Sequence, residues 1–355
     1  MTAAKPPPDP VTLAADIKHW GQALGFQQVG ICPARLDADE THLLNWLAAG
    51  RHGEMDYMAR HGTRRSRPAD LVPGTTSVIS VRMDYWPGAA RAADEVMHDP
   101  ALAYLSRYAL GRDYHKVLRK RLQKLAERIT AEIGAFGYRA FTDSAPVLEK
   151  ALARNAGLGW IGKHTNLINE GAGSWFFLGE LYTDLELPSD TPATDHCGDC
   201  QACIDACPTG AITGPRQLDA RLCISYLTIE LRGSIPEALR PMLGNRIYGC
   251  DDCQLVCPWN RFAQDSGEAD FQPRHALDSS DLVRLFAWNE AEFERCTRGS
   301  AIHRIGHECW LRNIAVALGN ATTTQAVVEA LRDRARHPSS LVREHVEWAL
   351  QQHDA

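Results

Sequence analysis

The chain has 355 residues, which suggests two or three domains, and its 45% hydrophobic and 23% charged residues are typical of a globular protein. Its formal net charge of −6 argues against a protein that binds nucleic-acid duplexes by bulk positive charge. No apolar run of about 18 residues is present, and the Pro-rich residues 1–10 have no apolar core. We therefore expect a cytoplasmic protein with a disordered N-terminal tail, residues 1–10, and no membrane segment.

The N-terminal part, residues 11–185, is predicted to be an α/β domain. A helix with its apolar side chains on one face covers residues 13–24, and Gly25 can end it. A longer amphipathic helix is predicted over residues 115–136. Apolar and β-branched runs predict four strands, over residues 28–32, 77–83, 138–142 and 174–183.

Two local basic clusters are candidates for contact with nucleic acid, although the chain as a whole is acidic. One is Arg64-Arg65-Ser66-Arg67. The other lies on the long helix and comprises Lys116, Arg119, Lys120, Arg121 and Lys124. A solvated surface is the alternative for each cluster, and the sequence alone favours that interpretation.

The remaining chain is predicted to form two further regions. A Pro-, Thr- and Asp-rich linker opens a cysteine-rich domain, residues 186–260, and a polar loop then begins the last region, residues 261–355. This last region is expected to be helical and similar to HEAT repeats, but two repeat units are few for a free-standing solenoid. We therefore expect it to pack on the preceding domain. Its predicted helices cover residues 309–318, 323–336 and 341–352.

Eight of the 11 cysteines lie between Cys197 and Cys257. In a chain that looks cytosolic, such clustering points to metal binding and away from disulfides. The first motif, Cys197-x2-Cys200-x2-Cys203-x3-Cys207-Pro208, matches the run found in bacterial ferredoxins. Three thiolates on a tight loop can bind three irons of one cluster. The fourth follows a turn that the proline helps to set, and it reaches a neighbouring cluster.

The second motif, Cys250-x2-Cys253-x3-Cys257-Pro258, lacks a first cysteine because Ile247 stands at that position. We infer that Cys223, the unassigned cysteine between the two motifs, takes its place. Eight thiolates then suffice for two 4Fe–4S clusters. The predicted ligands are Cys197, Cys200, Cys203 and Cys257 for one cluster, and Cys207, Cys223, Cys250 and Cys253 for the other.

A pair of four-cysteine zinc sites is the alternative, but zinc does not require the complete x2-x2-x3-Pro run. The other three cysteines, Cys32, Cys296 and Cys309, are expected to be ordinary buried thiols. Two neighbouring clusters conduct single electrons and by themselves catalyse few reactions. The N-terminal domain is therefore the expected location of the chemistry.

Several sequence blocks resemble the epoxyqueuosine reductase family. The longest is TDSAPVLEKALARNAGLGWIGKHTNLIN, residues 142–169. The resemblance spans roughly residues 10–350. Its other blocks are HGEMDYM (52–58), SRYALGRDYHKVLRKRL (106–122), CISYLTIELRG (223–233) and YGCDDCQLVCPWN (248–260).

The resemblance implies an enzyme that reduces epoxyqueuosine to queuosine at the wobble position of tRNA anticodons, the final step of queuosine biosynthesis. It implies that the N-terminal domain binds cobalamin with the cofactor's own base displaced, that two 4Fe–4S clusters feed electrons to the cobalt, and that an external donor supplies them. A DxHxxG motif, which gives cobalt a histidine in many cobalamin proteins, is absent, because Asp113-Tyr114-His115 lacks the later glycine. We expect a monomer with no membrane partner.

The resemblance also implies roles for individual residues. Asp143 matches the proton donor of the family, although Asp143-Ser144 ahead of Pro146 is also typical of a capped helix start. A cap favours the ionised carboxylate, whereas a donor must hold a proton. The implied cobalamin contacts are Tyr57, Asp143, His164, Ser225, Asp251 and Asp252.

Some of these contacts have plain structural alternatives. Tyr57 is otherwise a core residue, His164 a structural hydrogen-bond donor, and Asp251 and Asp252 turn residues. The tRNA-binding residues remain unknown from the sequence. Two other functions stay open: a reductive dehalogenase-like corrinoid enzyme, and a ferredoxin-like electron carrier that holds iron and sulfide but no corrin.

Overall fold

The structure is a computed structural model that describes residues 8–354. The predicted tail, residues 1–10, lies mostly outside this part of the chain. Its last residues belong to the first helix, α1 (Pro10–Ala23), in which the Asp9 side chain accepts hydrogen bonds from backbone N–H groups of the first turn. Proline suits the first helical position because its missing N–H would have no partner there.

Ten strands and fourteen α-helices lie within the described residues. The strands are β1 (Gln28–Pro33), β2 (Ser77–Asp84), β3 (Tyr104–Leu105), β4 (Tyr138–Phe141), β5 (Trp160–Ile161), β6 (Leu167–Ile168), β7 (Phe176–Thr183), β8 (Ile212–Gly214), β9 (Gln217–Leu218) and β10 (Arg246–Tyr248). The helices after α1 are α2 (Asp37–Ala48), α3 (Pro68–Leu71), α4 (Ala93–His98), α5 (Tyr114–Ile133), α6 (Glu149–Asn155), α7 (Ala202–Asp205), α8 (Ile224–Ile229), α9 (Asp252–Leu255), α10 (Leu282–Phe286), α11 (Glu290–Thr297), α12 (Gly306–Gly319), α13 (Gln325–Arg334) and α14 (Ser340–His353).

A four-stranded sheet in the order β1–β2–β7–β4 organises the N-terminal part. The predicted mixture of helices and strands is confirmed, and every pair of neighbouring strands in this sheet is antiparallel. Side chains of β7 alternate between two covered faces. Phe177 and Leu181 pack with α1 and α5 on one face, whereas Phe176 and Tyr182 pack with α6 on the other.

The loop between β4 and α6 differs from one sequence interpretation. The interpretation of Asp143 as a helix cap is wrong, because α6 begins only at Glu149 and its cap position, Leu148, makes no side-chain capping bond. Asp143 has a φ of 51°, in the left-handed region where Asp is tolerated better than most residues. The conformation of this loop, and not a helix start, therefore sets the direction of the Asp143 side chain.

The cysteine-rich region is joined to both neighbouring parts. Strand β10 pairs in parallel with β3 from the N-terminal part. On the other side, the buried side chains of Arg312 and Asn313 in α12 donate hydrogen bonds to backbone carbonyls of Leu227 and Thr228 at the end of α8. The three C-terminal helices predicted from the sequence are confirmed as α12, α13 and α14, and α12 shares one apolar core with the cysteine-rich region. Within residues 8–354 no helix combines the length and apolar character needed to cross a bilayer.

Candidate active site

A cavity of about 520 Å³ lies where the three parts of the chain meet. This volume is within the range of small-molecule sites. The sheet part contributes Asp143 and Phe177, the cysteine-rich region contributes Cys223 and Asp251, and the C-terminal region contributes Arg304. The predicted proton donor and four predicted cluster ligands therefore share one cavity.

Asp143 projects into this cavity from the loop after β4, and its side chain is 55% exposed there. Its carboxylate accepts a short hydrogen bond from the hydroxyl of Tyr114. The Nε2 atom of His115 lies 3.4 Å from the same oxygen, Oδ2. Tyr114 itself is fixed by stacking on Phe177, with ring centroids 4.0 Å apart. The carboxylate is thus surrounded by two groups that can carry a proton.

The start of α5 holds His115 in place. Asp113 caps this helix, and its Oδ1 atom lies 2.7 Å from Nδ1 of the His115 ring. Burial disfavours the imidazolium, yet the hydrogen bonds with Asp113 and Asp143 outweigh it and raise the pKa of His115 to about 9. Burial also opposes ionisation of Asp143, but the bonds from His115 and Tyr114 hold its pKa below the usual value. Near neutral pH, the proton beside Asp143 therefore resides mainly on His115.

Two further carboxyl groups lie behind Asp143. The backbone N–H of Asp143 donates to Oε1 of Glu149 at 2.5 Å. Glu149 in turn neighbours Glu180, which is fully buried on β7 and accepts a bond from Ser80 at 3.3 Å. Burial, and then the charges of neighbouring carboxylates, raise the pKa of both Glu149 and Glu180.

The eight clustered cysteines line two cavities, four in each. The first group surrounds a separate cavity of about 110 Å³, which Trp259 also lines. The second group lines the 520 Å³ cavity. Within the described residues, no group of three or more His, Cys, Asp or Glu side chains is arranged to bind a single metal ion. The first group is Cys197, Cys200, Cys203 and Cys257, and the second is Cys207, Cys223, Cys250 and Cys253.

His164 lies between the two cavities and lines both. Burial, and then the charge of Lys150, lower the pKa of His164 to about 4, so its ring is neutral. Its Nδ1 atom accepts a hydrogen bond from the backbone N–H of Asn166 at 3.1 Å, which places the ring proton on Nε2. That Nε2 atom is buried and has no partner within the described residues. It is a donor directed toward whatever group occupies the site.

The other predicted contacts are distributed unevenly. Ser225, Asp251 and Asp252 all line the large cavity, whereas Tyr57 does not. Asp251 is almost fully buried and accepts hydrogen bonds from the side chains of Tyr104 and Ser106 and from a backbone N–H.

Asp252 binds Arg246 through two hydrogen bonds and also accepts one from the Cys250 thiol at 2.8 Å. Tyr57 lies outside the cavity, below the guanidinium of Arg65, which is 6.0 Å from its ring centroid. Asp252 is therefore in contact with a predicted cluster ligand, Cys250.

The two basic clusters are used differently. In the first, Arg65 is buried and Arg67 forms an ion pair with Glu40, so much of its charge is satisfied internally. In the second, three lysines lie at four-residue spacing on the exposed side of α5. They line a groove of about 390 Å³ that begins at Asp113, beside the cavity residue Tyr114. These lysines are Lys116, Lys120 and Lys124.

Four residues around Asp143 were not predicted from the sequence as site residues. Two features of the sequence could have indicated some of them. Glu180 is the only charged residue in the apolar run SWFFLGELYT, where an unpaired charge is costly. The block DYH places two polar rings at the start of a strongly amphipathic helix. The four residues are Tyr114, His115, Glu149 and Glu180.

Comparison with protein-family models gives two matches. Residues 65–144 match the model described as "Epoxyqueuosine reductase QueG, DUF1730". Residues 196–260 match a 4Fe–4S double cluster binding domain. The second match spans all eight clustered cysteines and shows that the chain has an iron–sulfur double-cluster domain.

Curated proteins and solved structures give matches over nearly the whole chain. An epoxyqueuosine reductase of Pseudomonas aeruginosa is 64% identical over 349 residues, covering 98% of this chain and 96% of the relative. A Bacillus subtilis epoxyqueuosine reductase, whose catalytic aspartate loop is swung out of the active site, is 27% identical with a TM-score of 0.85, covering 96% of this chain and 90% of that one. A third match, an epoxyqueuosine reductase with an epoxyqueuosine-modified tRNA stem loop, has the same fold at 24% identity, a TM-score of 0.82 and coverage of 97% and 99%.

Proposed function

Because the chain belongs to the epoxyqueuosine reductase family, we propose that it reduces epoxyqueuosine to queuosine in the wobble position of tRNA, the last step of queuosine biosynthesis. The reaction removes the epoxide oxygen as water and leaves an alkene, which requires two electrons and two protons. An external donor supplies the electrons. The observation that best supports this function is the shared cavity, which Asp143 lines together with four of the clustered cysteines.

The eight cysteines hold the two clusters of the double-cluster domain. The set of Cys197, Cys200, Cys203 and Cys257 encloses a space of about 110 Å³ with thiols directed inward, which suits one 4Fe–4S cluster. The other set lies on the wall of the large cavity, so a cluster there is adjacent to any group bound inside it. Single electrons can then pass from the first cluster to the second and into the cavity.

The large cavity, at about 520 Å³, would accommodate part of cobalamin, such as the reactive face of its corrin ring, and not the whole cofactor. The cavity has the volume of a small-molecule site, and it borders the second cysteine set. The buried Nε2–H of His164 lacks a protein partner and can donate to the bound cofactor. Because that nitrogen carries the proton in this tautomer, His164 would act toward a bound cofactor as a hydrogen-bond donor and not as a metal ligand. When bound, cobalamin supplies the low-potential electrons that the epoxide accepts.

The residues around Asp143 control the proton. Asp143 faces the cavity, and His115 can pass its proton to the Asp143 carboxylate across 3.4 Å. The protonated carboxyl would then donate one proton to the epoxide oxygen as the first C–O bond breaks. A second proton, taken up from water through His115 and Asp143, would join the oxygen as the second C–O bond breaks, the alkene forms and water leaves. Asp113 keeps the His115 ring oriented and stabilises its cationic form. The loop that carries Asp143 would correspond to the catalytic aspartate loop that is swung out of the active site in the Bacillus subtilis relative.

The tRNA enters beside α5. Lys116, Lys120 and Lys124 form no ion pair within the described residues, and their groove leads to the cavity rim at Asp113 and Tyr114. Phosphate groups of the anticodon arm can therefore contact these lysines while the modified base enters the cavity. Bases in RNA loops are already partly unstacked, so a single base can enter at modest cost.

The experiment that tests this function is mass analysis of tRNA nucleosides. A strain that lacks its own enzyme accumulates epoxyqueuosine, and supplying this chain should restore queuosine. Unchanged epoxyqueuosine would exclude the proposed activity. The ferredoxin-like alternative predicts iron and sulfide but no corrin in protein purified without oxygen. The position of Asp143 in the cavity favours the enzyme over that carrier.

A further inference from the structure

Glu149, which is half-buried, and Glu180, which is fully buried, form an unusual pair of acids behind Asp143. Glu180 lies on the central strand β7, between Phe176 and Tyr182 on the face that α6 covers. A lone carboxylate in such surroundings is strongly disfavoured. Within the described residues, no group donates a hydrogen bond to its buried Oε2 atom.

A shared proton explains this pair. Two carboxyl groups can form a hydrogen bond with each other only if one of them is protonated. The carboxyl groups of Glu149 and Glu180 are neighbours, since α6 covers the face of the sheet from which Glu180 projects and each carboxyl acts on the pKa of the other. One proton between them therefore satisfies the buried oxygen of Glu180 and removes one of two negative charges. It also fixes the orientation of the Glu149 side chain.

The other end of Glu149 holds the catalytic loop. Its Oε1 atom accepts the backbone N–H of Asp143 at 2.5 Å. Asp143 is one of five non-glycine residues with positive φ within the described part of the chain, so its backbone is in an uncommon conformation that needs support. This contact joins the loop backbone to the sheet side of the site, whereas Tyr114 and His115 contact the Asp143 carboxylate and Arg119 donates to the hydroxyl of Ser144.

We infer that Glu149 is a positioning residue for Asp143, and that Glu180 keeps Glu149 in place by sharing a proton with it. This inference rests on the function proposed above, in which Asp143 supplies the proton. The Glu149 carboxyl oxygen holds the Asp143 loop in its inward position, with the carboxylate of Asp143 toward the cavity. Without that contact the loop leaves its inward position, and Asp143 no longer reaches the substrate.

The test compares Glu149→Ala and Glu149→Gln in the cofactor-loaded enzyme with epoxyqueuosine tRNA. Alanine removes the acceptor, so we expect the single-turnover rate to fall about 100-fold, the usual effect of misplacing a catalytic group by about 1 Å. The tRNA dissociation constant should stay within about two-fold of that of the wild type. Glutamine keeps an oxygen for the Asp143 N–H and can donate to Glu180. The single-turnover rate of Glu149→Gln should therefore be at least ten-fold higher than that of Glu149→Ala. The exposed Glu170, which does not line the cavity, provides the control substitution Glu170→Ala.

A second measurement is independent of the chemistry. Hydrogen exchange of a peptide covering residues 138–148 includes the Asp143 amide well inside the peptide and reports on its protection. Glu149→Ala should raise its exchange about ten-fold, because the hydrogen bond that protects the amide is lost. Glu180→Leu should do the same if Glu180 holds Glu149 in place, and unchanged exchange in this variant would remove Glu180 from the inference.

Wild-type exchange and rate in Glu149→Ala would overturn the positioning role while leaving the proposed function intact. A wild-type enzyme that converts no epoxyqueuosine would instead refute the function. The exchange data would still decide whether Glu149 holds the loop. A glutamine variant as slow as the alanine variant would also contradict the inference, since its amide oxygen replaces the lost acceptor.

Discussion

The His115 ring and the Asp143 carboxylate face each other across 3.4 Å, although 28 positions separate them in the sequence. The helix α5 supplies the first and the loop after β4 the second. Since Asp113 contacts the opposite side of the ring, the imidazolium lies between two carboxylates. The arrangement stores a proton next to the residue that is proposed to deliver it.

The raised pKa of His115 predicts a pH-dependent contribution to stability. Its folded-state pKa of about 9 lies above the usual value of 6.5. The stabilisation is therefore fully present below about pH 6.5 and is lost as the pH rises through about 9. Replacement by asparagine should lower the thermal midpoint by about 2–4 °C at pH 6 and by much less at pH 10. Equal shifts at both pH values would show that the ion pair contributes nothing.

Replacement of Asp143 by asparagine should abolish most of the activity while preserving the structure. Asparagine tolerates the left-handed backbone of this position as well as aspartate does. An amide cannot serve as the acid, so single-turnover reduction should fall by about 10²–10⁴-fold, the usual contribution of general acid catalysis. Iron and corrin content must first match the wild type. A fully loaded variant with the wild-type rate would exclude Asp143 as the proton donor.

The sequence predicted those features that depend on local pattern. Spacing alone grouped the cysteines, and Cys223 was included only because Ile247 occupies the expected position. The structure places Cys223 on the cavity wall with its predicted partners. The main helices and strands also followed from periodicity, because each buries one continuous apolar face.

The features that the sequence did not predict correctly depend on contacts between distant segments. Asp143 followed by Pro146 is typical of a helix start, yet the chain stays irregular until Glu149 because the loop is anchored by Glu149 itself. Glu180 reaches this site through the register of β7, which pairs it with Ser80 and Phe141. No local sequence pattern encodes that pairing, so the sequence did not predict that Glu180 lies beside Glu149.

Replacement of Cys223 by alanine should remove one cluster and leave the other largely in place. Cys223 lines the large cavity, whereas the first cysteine set surrounds its own space. Iron per chain should fall from about eight toward about four, the counts for two and for one four-iron cluster. The matched control is Cys296→Ala, since that thiol is buried and lies outside both sets. Full iron loading with unchanged EPR signals in Cys223→Ala would show that another residue binds the cluster.

The lysine groove on α5 predicts a change in the salt dependence of tRNA binding. Each lysine that neutralises a phosphate releases condensed counterions, which adds about 0.7–0.9 to the slope of log affinity against log salt. Replacing Lys116, Lys120 and Lys124 by alanine should therefore weaken binding and lower that slope by about 2. The effect should be similar for modified and unmodified tRNA, because phosphate contacts do not read the base.

As a control, Arg332→Ala with Arg336→Ala removes two exposed cations from the α13 region, outside the groove, and should leave the slope unchanged. An unchanged slope in the lysine variant would show that the tRNA enters elsewhere. A loss of rate without a loss of affinity would instead mean that these lysines orient the bound anticodon and do not attract it.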